Sequence, residues 1–93
     1  MGFEQFTVAI FVYCRELRGS VTSWIRTTAR NHTVGGVIDS PHTFGLAVDV
    51  VYDVPLPYER ASALADNLGL AVIREKDHDH IQPADWRVPA IRK

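Results

Sequence analysis

The chain has 93 residues, 46% hydrophobic and 23% charged, with a formal net charge of −1 and a sequence pI near 6.4. That length holds one domain, residues 1–93, and no second core. Lys and Arg form no block, so a nucleic-acid surface is not implied, and the single cysteine excludes an internal disulfide or a Cys-rich zinc knuckle.

No apolar run approaches the roughly 18 residues that a membrane-spanning helix needs. The apolar stretch 7–14 follows Glu4 where a signal peptide would carry positive charge. No small-x-small cleavage site comes after it, so it reads as mature structure. Phe3, Phe6, Ile10, Tyr13 and Leu17 recur at spacings of three and four, which predicts a helix with Gly19 as its stop. The β-branched residues within 7–12 pull the other way, toward a strand. Cys14 lies inside this apolar segment and reads as a small buried hydrophobe.

A short strand is predicted at 21–25, after the Gly19-Ser20 break. The polar run 27–33 could start a helical turn capped by Thr27 or Thr28. Gly35-Gly36 marks a loop, and 37–44 continues it with His42. Residues 46–52 form a second strand, apolar on both faces and so predicted to be central. Alternation puts Ala47, Asp49 and Val51 on one face and Leu46, Val48, Val50 and Tyr52 on the other. Pro55 and Pro57 stop it. Pro57 then opens a helix whose apolar face is Tyr58, Ala61, Leu64, Ala65 and Leu68, and Gly69 ends it.

Residues 70–74 form a third strand and Glu75-Lys76-Asp77 a polar turn. Residues 78–82 form a fourth strand, paired back as a hairpin and ended by Pro83. The tail, with Trp86, Val88 and Ile91, is apolar enough to dock, and Arg92-Lys93 fray. Trp24, Phe44 and Trp86 are expected in the core and His32 on the surface. The order of elements predicts an α+β domain with a small, mostly antiparallel sheet and flanking helices.

The chemistry concentrates in two stretches. In the first, residues 40–50, Asp49 stands inside an apolar run with His42 seven residues upstream. An ionised Asp in a half-buried strand is costly unless something pairs with it, and a cation shared with His42 would do so. The second is Asp77-His78-Asp79-His80. His78 and His80 lie two apart in a predicted strand and so share a face; either could be a ligand. Zinc takes nitrogen and oxygen donors tetrahedrally, and a catalytic site keeps one position for water. His42, Asp49 and His80 are the chosen ligand set. Asp77 would face away in an ideal strand, but at the turn it could reach the water. The competing reading is a solvated acidic hairpin without metal.

The stretch Val21-Thr22-Ser23-Trp24-Ile25-Arg26, then Asn31, Val34-Gly35-Gly36, and Ser40-x-His42-x-x-Gly45-x-Ala47-x-Asp49, resembles a known family. It is that of the zinc D-alanyl-D-alanine carboxypeptidases and L-alanyl-D-glutamate endopeptidases, related to lysostaphin-type enzymes and the hedgehog signalling domain. Asp77-His78-x-His80 resembles the family's second zinc motif, and the likeness spans roughly residues 20–82. It implies a hedgehog-like fold with His42, Asp49 and His80 on zinc. By the same resemblance Asp77 is the general base, His78 an oxyanion stabiliser, Arg26 a substrate-facing arginine and Ser40 a hydrogen-bonding support. The chain departs from many relatives at Trp24-Ile25 and in having the shorter Asp at position 77, which leaves Glu75 as a competing base.

The expectation is therefore a monomeric zinc metallopeptidase with about one Zn2+ per chain. It would cut an amide bond in peptidoglycan stem peptides or related D-amino-acid peptides, as carboxypeptidase or endopeptidase. No nucleic-acid or membrane partner is expected. Without a signal peptide, the expected location is the cytoplasm, or the cell wall after release if the chain is a phage lysis enzyme. The alternative is a non-catalytic zinc-binding interaction module of the same fold.

Overall fold

The structure, a computed structural model, describes residues 1–25 and 45–86. Arg26, His32, Ser40, His42 and Phe44 lie outside the described residues, as do the expected turn at 27–33, the Gly35-Gly36 loop and the tail from position 87. Among the described residues the elements run α1 (Phe3–Leu17), β1 (Gly19–Ser23), β2 (Val48–Tyr52), α2 (Tyr58–Asn67), β3 (Leu70–Arg74) and β4 (Asp79–Pro83). The expected α+β class holds, with two helices and a four-stranded antiparallel sheet in the order β1-β2-β4-β3.

In α1 the helical spacing prevails over the β-branched content. Phe6, Ala9, Ile10, Tyr13 and Leu17 are buried, whereas Phe3 stays about half exposed (48%). Removing each large side chain of this stripe from water contributes about 1.5–3 kcal/mol. That outweighs a propensity penalty of a few tenths per β-branched residue. At the start, the Gln5 side-chain oxygen accepts the Gly2 N–H at 2.9 Å. At the end, Arg18 rather than Gly19 takes the left-handed conformation, with φ 55°.

The helix therefore stops one residue early, and β1 starts at Gly19 instead of at Val21. A Cβ on Gly19 would stand 2.7 Å from the Val50 side chain, so only glycine fits this close approach of β1 to β2.

β2 is internal, as its two apolar faces predict. Its buried residues Val48 and Val50 pair with Ile81 and Asp79 of β4, which are also buried. The two helices cover this face, α1 against β1 and α2 against β3. The α2 stripe is as expected at Ala61 and Ala65, which are buried, and at Leu64 and Leu68, which pack against the core; Tyr58 is exposed at its edge. Cys14 packs against the same core, and burial pushes its thiol up, which disfavours a reactive thiolate. Trp24 joins the core through Phe3 and Phe6, with ring centroids 6.2 and 6.1 Å away.

Candidate metal centre

The pairing of β2 with β4 decides what meets. Asp49 and His80 are directly opposed partners in the antiparallel ladder, and opposed side chains project from the same face. His80 Nδ1 lies 3.6 Å from Asp49 Oδ1, each side chain only 15% exposed. His78, two residues earlier, falls on the same side, and its Nε2 also lies 3.6 Å from Asp49 Oδ1. One carboxylate oxygen thus faces two imidazole nitrogens contributed by the neighbouring strand and its entry.

A separation of 3.6 Å is too long for a hydrogen bond. It does suit two donors sharing a small cation. Ligands held about 2.0–2.1 Å from zinc stand about 3.4 Å apart at the tetrahedral angle. Asp49 and His80 fit as two of the assigned ligands, and the third, His42, lies outside the described residues. Among the described residues no group of three or more His, Cys, Asp or Glu side chains is arranged to hold a metal ion.

The His80 ring is held from its other end by Gln82, whose Oε1 stands 2.7 Å from Nε2. His78 is bracketed by acids. Its Nδ1 meets Asp77 Oδ1 at 2.7 Å, and its Nε2 meets Glu75 Oε1 at 3.1 Å. Asp77 therefore binds the end of the ring away from Asp49, while Glu75 shares the end that faces it. Burial pushes the His78 imidazole down, but the Asp77 hydrogen bond and the charges of Asp49 and Glu75 outweigh it, so the net shift is up. The hydrogen bond from His78 lowers the exposed Asp77 carboxyl in turn. Both candidate bases, Asp77 and Glu75, contact His78.

Behind β4 lies a second polar cluster that the sequence reading did not assign. Asp79 is 1% exposed on the core face. Arg74 grips it through Nε and Nη2, each at 2.8 Å. The Tyr52 hydroxyl donates to it at 2.7 Å. That spends the one Tyr52 proton, so the Tyr13 hydroxyl, 2.5 Å from Tyr52, is the donor in the next link. Arg74 also donates to the Leu56 carbonyl at 2.7 Å and lies 5.9 Å from the Tyr58 ring centroid. Burial pushes the Asp79 carboxyl up, but Arg74 and Tyr52 outweigh it and hold it below the usual range. The signal was present in the alternation: a residue between His78 and His80 must face the core, and a carboxylate there needs a partner.

An open cleft of about 400 Å³ runs beside His78, with Val54, Leu56, Arg74, Glu75 and Asp77 in its walls. On the other flank the Trp24 indole N–H donates to the Gly45 carbonyl at 2.9 Å. Gly45 has φ +74°, and a Cβ there would stand 3.0 Å from the Phe3 ring, which accounts for glycine just ahead of β2.

Comparison with family models, with curated proteins and with solved structures finds no match. Among the described residues, no helix is long and apolar enough to cross a membrane.

Proposed function

We propose that this chain is a zinc metallopeptidase of the hedgehog-like, D-alanyl-D-alanine carboxypeptidase type, acting on peptidoglycan stem peptides or related D-amino-acid peptides. The observation that carries the reading is the convergence of Asp49 with His80 and His78 at 3.6 Å, where the sequence motif calls for a metal. Asp49 and His80 would hold zinc together with His42. When bound, zinc supplies a water of pKa about 7 and polarises the scissile carbonyl.

The other roles belong to the chain itself. His78 presents Nε2 on the Asp49 side, where a developing oxyanion would take over the proton now shared with Glu75. Asp77 holds the opposite ring nitrogen and so fixes its orientation. Asp77 and Glu75 are the two carboxylates able to take a proton beside the site. The cleft beside His78 would receive the peptide on one side of the scissile bond. Arg26 and Ser40 keep their proposed roles toward substrate.

The test is mass spectrometry of digests of purified peptidoglycan and of D-alanyl-D-alanine, with and without zinc. New peptide products that depend on zinc are expected; none with either substrate would refute the peptidase.

One observation favours the second reading, a zinc-binding module without catalysis. The Asp77 carboxyl is engaged at the end of His78 that points away from Asp49. Asp77→Asn separates the two readings. Lost hydrolysis with retained zinc supports the enzyme, and a parent protein that binds zinc and hydrolyses no wall peptide supports the module.

A further inference from the structure

We infer that Gln82 is a positioning residue, whose side-chain carbonyl fixes the His80 ring with its proton on Nε2 and so presents the Nδ1 lone pair to Asp49. His78, His80 and Gln82 alternate on one face of the chain entering and forming β4, and Gln82 closes that row. Its ladder partner on β3 is Ala71, whose small side chain leaves room for the amide to turn back along its own strand.

Gln82 Oε1 stands 2.7 Å from His80 Nε2. An amide oxygen has no proton to give, so the N–H in this bond belongs to the imidazole. A neutral imidazole carries one N–H, which leaves its lone pair on Nδ1. That nitrogen stands on the Asp49 side, 3.6 Å from Asp49 Oδ1. The two ring nitrogens thus have different tasks, and Gln82 assigns them. A ligating histidine whose other nitrogen donates to a carbonyl or carboxylate gains both orientation and basicity. The neutral amide supplies the orientation without adding a charge beside Asp49.

The inference rests on the zinc reading only in its affinity measurement. The tautomer is measured on the metal-free 93-residue chain by long-range ¹H–¹⁵N spectra at pH about 8.5, with His80 assigned against His80→Ala. The expected result is a slowly exchanging Nε2 proton on His80, retained in Gln82→Glu and lost to fast exchange in Gln82→Leu. By chelator competition, zinc affinity should fall about 10–100-fold in Gln82→Leu and hold or tighten in Gln82→Glu. A proton on Nδ1 in the parent protein would overturn the inference. So would a Gln82→Leu variant that keeps both the slow Nε2 proton and the zinc affinity. A parent protein that binds no zinc would refute the metallopeptidase and leave the tautomer to decide the role of Gln82.

Discussion

Arg74 and Asp79 stand directly opposite each other in the β3–β4 hairpin, and the guanidinium meets the buried carboxylate through two contacts of 2.8 Å. The pair lies on the core face of β4, with His78 and His80 on the other. A one-residue slip of β4 would exchange those faces and carry His80 into the core. Only the observed register sets Asp79 against Arg74 while His80 opposes Asp49.

Removing one partner of a fully buried pair costs about 3–5 kcal/mol. Asp79 is 2% exposed at its side chain but Arg74 37%, so solvent can still reach the guanidinium. Asp79→Ala is accordingly expected to destabilise by about 3 kcal/mol. Arg74→Met is expected to cost at least as much, because it leaves the carboxylate buried without its cation. Urea denaturation checks both; a loss below about 1 kcal/mol in each would show that the pair does not hold the hairpin.

Tyr52 is the middle of the hydroxyl chain. Tyr52→Phe removes one donor from Asp79 and the acceptor of Tyr13 together. A cost of about 1–3 kcal/mol is expected. Tyr13→Phe removes only the terminal donor and should cost less, about 1 kcal/mol. Equal losses in the two variants would contradict the direction assigned to the chain.

The same hydroxyls predict alkaline behaviour. Burial pushes Tyr13 up to about 12, partly offset by its hydrogen bond with Tyr52, and burial raises Tyr52 as well. The unfolded chain would release these protons near pH 10. A raised folded pKa therefore contributes stability that is whole below pH about 10 and is lost as the pH rises toward about 12. Measured from pH 9 to 12, the stability advantage of the parent over Tyr13→Phe should shrink. An advantage that grows over that range would reverse the sign.

Gly45 ties a local conformation to the site. Its positive φ strains any side chain, and the Phe3 ring 3.0 Å from a would-be Cβ would have to give way. Gly45→Ala is expected to cost about 1–2 kcal/mol from the backbone alone. Thermal melting with the Trp24 fluorescence maximum checks it, since Trp24 bonds to the Gly45 carbonyl. An unchanged melting temperature and spectrum would remove the constraint.

The periodic elements were legible in the sequence because burial follows spacing. The stripe from Phe3 to Leu17 marked out α1, and 70–74 matched β3. The edge β1 was misplaced by two residues because its ends depend on a left-handed Arg18 and on the approach of Gly19 to Val50, neither of which leaves a periodic trace. At the site, alternation placed His78 and His80 on one face, but the pairing of β4 with β2 that sets Asp49 against them is a long-range contact with no periodic trace. Which end of His78 Asp77 would occupy was not legible, because a turn has no alternation to read. The inward position of Asp79 follows from the same alternation, but its pairing with Arg74 depends on the hairpin register.

The proposed zinc site stands on Asp49 and His80, from neighbouring strands. The most direct measurement is zinc content and affinity of the purified chain beside Asp49→Ala and His80→Ala, each checked for a native fold. About one zinc per parent chain, with at least a tenfold weaker affinity in each variant, is the predicted result. A folded parent protein that takes up no zinc, or variants that bind it as tightly as the parent, would contradict it.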